Sequence, residues 1–275
     1  MVVCDGKGRV LTMKDVTGVF RSRPDAERAM SQMRSLGVPE DKITLLTPDK
    51  IEKTLQSVPS VSAEQPGMGK AIGAVVGAAA GLSGGALVVA ALIPGVGPIT
   101  AIGLFGAAVL AAAGGSIGAV AGGKLENSMT EGLPEDELFI YEDALRKGRS
   151  VVVALSDDEA AASRLRELLT VEGAESVDAA REEWWVGLRS AERERYLAPG
   201  RSFDDDEKFY RLGFESALHA RTRCKEYDQV SSEMRAKLEE VQRQYPDANV
   251  AGAFTKGYKR GRDHYQQLCD KSKAA

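Results

Sequence analysis

Two short motifs near the end of the chain contain residues that could bind a metal ion. His219 and Cys224 are five positions apart, and His264 and Cys269 repeat this spacing. Imidazole and thiolate groups are common zinc ligands. Five residues turn a helix by about 500°, so the two side chains of each pair lie about 140° apart around it. Neither pair can chelate an ion from one helix face, and we expect ordinary surface or core roles for all four residues.

The acidic run at positions 204–207 could bind a cation or could cap a helix. Its sequence is Asp-Asp-Asp-Glu, and it follows the helix-breaking pair Pro199-Gly200. Carboxylates in the first turn of a helix complement the helix dipole, which favours capping. The chain also lacks the phosphate-binding, serine-hydrolase and zinc-protease motifs. The sequence therefore predicts a non-enzyme with no metal, no cofactor and no identified small-molecule substrate.

The segment that sets this chain apart is uncharged. From Ala71 to Gly123 there are 53 residues without a charged side chain, bounded by Lys70 and Lys124. The sequence Pro94-Gly95-Val96-Gly97-Pro98 lies between two uncharged stretches of 23 residues each, 71–93 and 99–121. As a helix, each stretch would be about 34 Å long, enough for a hydrocarbon core of about 30 Å. Because proline and glycine favour a turn, the pattern predicts a helical hairpin.

Small residues recur every fourth position in both stretches, which places them on one face of each predicted helix. Such rows let two helix backbones approach closely, as in membrane helix pairs. The predicted helix-packing residues are Gly69, Gly73, Gly77, Gly81, Gly85, Gly103, Gly115, Gly118 and Gly122. The leading interpretation is a self-associating membrane hairpin, with membrane lipid and further copies of the chain as partners. Lys70 and Lys124 would flank the membrane on its cytoplasmic side.

Two other interpretations of the uncharged segment remain open. A helix that is apolar all round can instead be buried in the core of a soluble homo-oligomer. A segment rich in glycine and alanine can also be an unstructured insert.

The residues before and after this segment predict a small α/β sandwich. Val16 to Phe20 and Lys42 to Leu46 have strand character, and Asp25 to Leu36 has helical spacing. Beyond the segment, a helix over 134–147, a buried strand over 149–155 and a helix over 157–171 are expected. A short fourth strand at 173–177 would complete two βαβ halves.

The region after residue 180 is charged and predicts helices only. Within it, Tyr210, Gly213, Phe214 and Ala217 are echoed 44 positions later by an aromatic, a glycine, an aromatic and a small residue. The echo consists of Phe254, Gly257, Tyr258 and Gly261. We expect two helices packed through a glycine notch.

Composition limits the compartment and the partners. With 36 Lys and Arg against 40 Asp and Glu, the net charge is −4, which predicts no nucleic-acid partner. Three cysteines without a CxxC pair favour a reducing compartment. The opening residues MVVCDGKGRV show no basic stretch followed by an apolar run, so no secretory signal is expected. The predicted location is the cytoplasmic membrane with cytoplasmic soluble parts, or otherwise the cytoplasm.

Three stretches near the N-terminus have a pattern found in a known family. They are Val16-Thr-Gly-Val-Phe20, Arg21-Ser-Arg-Pro-Asp25-Ala-Glu-Arg-Ala-Met30 and Leu36-Gly-Val-Pro-Glu40-Asp-Lys-Ile-Thr-Leu45. This pattern resembles the bacterial general-stress (YflT-like) domain, over residues 15 to 50 and more loosely over 135 to 180. The uncharged segment is similar to glycine-zipper segments of bacterial membrane and envelope proteins. The resemblance implies a stress-associated role and carries over no functional residues.

The predicted fold class is therefore α+β. A split ferredoxin-like βαβ–βαβ sandwich would be interrupted by a glycine-zipper helical hairpin and followed by a C-terminal all-α region. The expected boundaries are 1–66 and 124–180 for the two sandwich halves, 67–123 for the hairpin and 181–275 for the helical region. The expected function is a non-enzymatic bacterial stress-associated protein that self-associates at a membrane. A soluble homo-oligomeric scaffold and a small-molecule-sensing domain are the alternatives.

Overall fold

The fold is seen in a computed structural model, which describes residues 2–4, 10–12, 14–48, 88–93, 96–103, 136–197, 200–223 and 225–274. The chain forms two compact units. The first comprises Met1–Leu133 and Tyr141–Val177, and the second comprises Pro134–Ile140 and Asp178–Ala275.

The first unit is α+β. Its strands are β1 Val2–Cys4, β2 Val10–Thr12, β3 Lys14–Phe20, β4 Ile43–Pro48, β5 Val88–Ile93, β6 Gly97–Ile102 and β7 Ser150–Ser156. Its helices are α1 Arg23–Ser35 and α3 Glu159–Val171. Helix α2, Leu138–Arg146, begins in the second unit and continues into the first at Tyr141. A 3₁₀ turn at Glu40–Lys42 leads into β4.

Five of the strands form one antiparallel sheet in the order β3-β7-β4-β6-β5. Strand β7 lies between β3 and β4, and it pairs antiparallel with both. Strands β3 and β4 therefore run in the same direction, as expected for a βαβ unit whose crossover is α1. Strands β1 and β2 form a separate two-stranded sheet.

The core of this unit lies between the sheet and two helices. Helix α1 begins at the predicted signal, where the Ser22 hydroxyl accepts a hydrogen bond from the Asp25 N–H. The apolar side of α1 and that of α3 pack on strands β3, β4 and β7. The buried cluster is Val16, Phe20, Ala26, Ala29, Met30, Met33, Ile43, Leu45, Val152, Ala154, Ala162, Leu165 and Leu169.

The predicted strand at 173–177 is reduced to one bridge. Val19 and Glu175 exchange backbone hydrogen bonds of 3.3 and 2.8 Å in antiparallel pairing. Arg149 supports this position through an ion pair of 2.7 Å with the Glu175 carboxylate. The chain thus reaches the outer side of β3 after α3, at the predicted position, but it does not continue along β3 as a strand.

The second unit is helical in its described part, as expected for the C-terminal region. Its helices are α4 Val177–Arg195, α5 Phe203–Ser216, α6 Tyr227–Gln244 and α7 Val250–Ala274. Helices α5 and α7 form the most extensive pairing.

Candidate functional site

The predicted turn in the uncharged segment joins two strands, so the predicted helices, 71–93 and 99–121, are wrong over 88–93 and 99–102. The chain reverses direction between Ile93 and Gly97, which face each other in the ladder. Val96 N–H donates to the Ile93 carbonyl at 3.0 Å, and Gly97 has a φ of +109° that favours glycine. This β-hairpin forms because β6 pairs with the side of β4 that β7 leaves free.

Gly103 has a different role from the predicted helix packing. It follows β6 with a φ of +135°, and a Cβ atom there would lie 2.2 Å from the Ile43 carbonyl oxygen. The end of β6 can therefore approach the start of β4 only because residue 103 is glycine. Pro98 lies within β6, immediately after Gly97. The other predicted packing, turn and flank residues lie outside the described residues: Gly69, Gly73, Gly77, Gly81, Gly85, Gly115, Gly118, Gly122, Pro94, Gly95, Lys70 and Lys124.

The hairpin places an uncharged strand at an edge of the sheet. Strand β5 has the sequence Val-Val-Ala-Ala-Leu-Ile and pairs with β6 on one side. Among the described strands, none pairs with its other side. Neighbouring strand β6 is buried on both faces, since Ile99, Thr100 and Ala101 are all at most 7% exposed. An edge strand has unpaired N–H and C=O groups that can bind another strand.

The acidic run begins in the first turn of helix α5, as expected for a helix start, and Ser202 before it is the N-cap residue. The Ser202 hydroxyl accepts from the Asp205 N–H at 3.2 Å, and Asp204 lies 3.1 Å from Arg189. Asp206 is fully buried and is bound by the Arg201 guanidinium and, at 2.6 Å, by the Tyr196 hydroxyl. Burial alone would raise the pKa of Asp206, but these hydrogen bonds hold that pKa below its ordinary value.

The remaining metal candidates do not form a site in the described part of the chain. No group of three or more His, Cys, Asp or Glu suited to a metal ion occurs among these residues. Cys269 is half-buried and is in no disulfide within the described ranges, and Cys224 lies outside the described residues. The ring of His264 lies beside Phe214, with ring centroids 5.4 Å apart.

Helices α5 and α7 cross through the predicted glycine notch. A Cβ on Gly213 would lie 2.0 Å from the Phe254 carbonyl oxygen, and one on Gly257 would lie 1.9 Å from that of Tyr210. Each glycine thus faces the carbonyl of the residue three positions before the other glycine. A Cβ on Gly261 would lie 2.4 Å from the Phe214 carbonyl oxygen. The contact is reciprocal, so the two helices are related by an approximate two-fold axis.

A buried ionic cluster, which the sequence analysis missed, lies beside this crossing. The Glu192 carboxylate is 1% exposed, accepts from the Tyr210 hydroxyl at 2.8 Å and lies 3.0 Å from the Arg260 guanidinium. Burial, followed by the adjacent carboxylate, raises the pKa of Tyr210, so this hydroxyl stays protonated and donates. We call Glu192, Tyr210 and Arg260 the buried ionic cluster; it links helices α4, α5 and α7.

Both tryptophans stabilise the helical unit. Trp184 and Trp185 are buried, and their rings lie 5.8 and 5.9 Å from that of Phe214. The indole N–H of Trp185 donates to Glu207 at 2.8 Å. They therefore pack within this unit.

The first unit also has a cavity of about 200 Å³ between the end of α1 and the start of α3. Its lining includes Gly37, Lys42, Asp157 and Arg164. Lys42 is already bound by Asp157 at 2.6 Å. This ion pair stabilises the end of the sheet and leaves no unpaired charge at Lys42 for a ligand.

Comparison with known proteins gives no relative. No family model, no curated protein and no solved structure matches this chain. Within the described ranges, no helix combines the length and the apolar character needed to cross a membrane.

Proposed function

We propose that this chain is a non-enzymatic, self-associating protein of the bacterial cytoplasm whose uncharged segment mediates the association. The observation that supports the proposal is strand β5, which is at the edge of the sheet among the described strands and has no charged residue or proline. Proteins that remain monomeric usually protect such edges with lysine, proline or a bulge. The absence of these features in β5 favours pairing with another chain.

The second candidate function is association with the cytoplasmic membrane, with lipid as the partner. The lack of charge over residues 71–123 favours it. Because 88–93 and 97–102 belong to the sheet, insertion would depend on the flanking stretches 71–87 and 104–123. A transmembrane helix needs about 20 predominantly apolar residues, and 104–123 has this length without a charged residue.

We further propose that the first unit is a ferredoxin-like sandwich of a stress-associated protein. Taking β3, β4, β7 and the bridge at Glu175 as strands one to four, the order across the sheet is 4-1-3-2. Helices α1 and α3 share one core cluster, as they do in that fold. The β5–β6 hairpin then extends the sheet beyond strand two. The resemblance to the general-stress domain supports the stress role.

The test is sedimentation velocity of the full chain without detergent, together with membrane fractionation and an alkaline carbonate wash. We expect a discrete oligomer in the soluble fraction. A monomer at every concentration would overturn self-association. Protein that stays in the washed pellet and dissolves only in detergent would select the membrane candidate instead.

A further inference from the structure

Strand β5 can bind a copy of itself without bringing like charges together. Its six residues, Val88 to Ile93, are all uncharged and apolar. Pairing with a second β5 would place only valine, alanine, leucine and isoleucine side chains opposite one another. Cross-strand pairs of such residues stabilise a sheet, whereas like charges directly opposite destabilise it.

We infer that two copies of this chain pair antiparallel through β5 and form one continuous ten-stranded sheet. This inference rests on the proposed self-association and names its surface. The order across the dimer would run from β3 through β5 to the partner's β5 and back to the partner's β3. A strand that pairs antiparallel with its own copy is self-complementary, as a closed two-fold dimer requires.

The symmetry of such a pair limits its register. In an antiparallel two-fold pair the axis is normal to the sheet, so each residue and the residue opposite it lie on the same face. Because successive residues in a strand alternate between faces, the axis must lie midway between one residue and the same residue of the partner, so that this residue faces its own copy. The central candidates in β5 are Ala90 and Ala91.

The same symmetry places equivalent faces of the two sheets on the same side of the dimer. The core helices α1 and α3 of both copies lie on the same side. On β6, side chains on both faces are buried at Ile99, Thr100 and Ala101. A second β5 would extend a sheet that is already covered on each face in this region, and it would satisfy the backbone groups at its edge. A second copy is thus a better match to this edge than a charged peptide.

Disulfide trapping tests the register. The single-cysteine variants Ala90→Cys and Ala91→Cys are made in a full chain whose Cys4, Cys224 and Cys269 are replaced by serine. Facing residues in an antiparallel pair have Cα atoms about 4.5 or 5.5 Å apart, which a disulfide spans. We expect one of the two variants to form a covalent dimer under mild oxidation. The matched control is Val96→Cys in the turn, whose two copies would lie more than about 20 Å apart and should not crosslink.

Proline substitution tests the hydrogen bonds of the edge. Neighbouring residues direct their N–H groups to opposite sides of a strand, so only one of Ala90→Pro and Ala91→Pro removes an outward donor. That variant should keep a near-normal melting temperature, and its dimer dissociation constant should rise at least about tenfold. The other should melt lower, because it disrupts the β5–β6 ladder. Circular dichroism distinguishes the two variants.

The outcomes separate this inference from the proposed function. If the unmodified chain is monomeric in sedimentation, both are wrong. If it is an oligomer, but neither cysteine variant crosslinks and neither proline variant weakens it, the chain self-associates through another surface and this inference is wrong. Crosslinking at Ala90 or Ala91 with no crosslinking at Val96 establishes the β5 pair.

Discussion

The contact between helices α5 and α7 predicts opposite effects for the same substitution at two helical glycines. Gly257→Ala would place a Cβ 1.9 Å from the backbone oxygen of Tyr210, about 1.5 Å closer than an ordinary contact. Because the obstacle is backbone, the two helices must separate. Gly187 in α4 is exposed and has no atom within 4 Å of the added Cβ. Gly187→Ala is therefore the matched control.

The magnitudes follow from two competing effects. Alanine favours a helix over glycine by about 1 kcal/mol, and overpacking a rigid contact costs about 3 kcal/mol. Gly257→Ala should lower the free energy of unfolding by about 2 kcal/mol, while Gly187→Ala should raise it by about 1 kcal/mol. For a unit of about 100 residues, these changes correspond to melting temperatures about 8 °C lower and about 4 °C higher.

Tryptophan fluorescence in urea is a suitable assay, because Trp184 and Trp185 both lie in this helical unit. The midpoints of the two variants should move in opposite directions from the unmodified chain. The reasoning would be refuted if Gly257→Ala were as stable as the unmodified chain, because the backbones would then not be in contact. A loss at Gly187 equal to that at Gly257 would show that the effect does not come from the crossing.

Three further predictions concern buried polar groups. Thr44→Val should stabilise the first unit by about 1 kcal/mol in thermal unfolding, because the buried Thr44 hydroxyl has no hydrogen-bond partner among the described residues. A destabilised variant would contradict this. Glu192→Ala should lower the free energy of unfolding in urea by about 3 kcal/mol, since it leaves Arg260 without its buried carboxylate. A decrease of less than about 0.5 kcal/mol would count against the buried ionic cluster. The pKa of Asp206 is lower in the folded chain than in the unfolded chain. The Asp206 carboxylate therefore contributes fully to stability above its unfolded pKa of about 4, and this contribution is lost as the pH falls through the folded pKa. The difference in melting temperature between the unmodified chain and Asp206→Asn should therefore shrink from pH 7 to pH 3, and a constant difference would contradict this.

Local patterns predicted the elements whose signals lie within the elements themselves. The start of α1 at Ser22 follows from a side chain that bonds to a nearby backbone N–H, and the acidic run at 204–207 complements the dipole of the helix that it begins. The glycine notch was predictable because the echo places an aromatic and a glycine at the same spacing in two helices. Its reciprocal geometry depends on how α5 and α7 meet, which the spacing within each helix does not determine.

The uncharged segment misled the sequence analysis for a physical reason. Where nearly every residue is apolar or glycine, a period of 3.6 and a period of 2 both fit, so periodicity cannot distinguish a helix from a strand. The strands β5 and β6 exist because β4 offers a free side for pairing with β6, and the paired residues of β4 lie 51 to 57 positions earlier in the chain.

The buried ionic cluster escaped prediction for a related reason. Charged residues in a helix usually face water, and nothing near Glu192 in the sequence indicates otherwise. Its partners, Tyr210 and Arg260, come from two later helices. Only the assembled unit brings the three groups together.

The central position of β7 has a consequence for synthesis on the ribosome. Strands β3 and β4 run in the same direction and are joined through β7, which leaves the ribosome about 100 residues after β4. At about 5 to 20 residues per second, the nascent chain holds β3, α1 and β4 for roughly 5 to 20 s before the strand between them is made. The glycine- and alanine-rich segment is translated during this interval. The newly made chain thus exposes unpaired strand edges while its least charged residues emerge, which makes this the interval in which a chaperone would bind it.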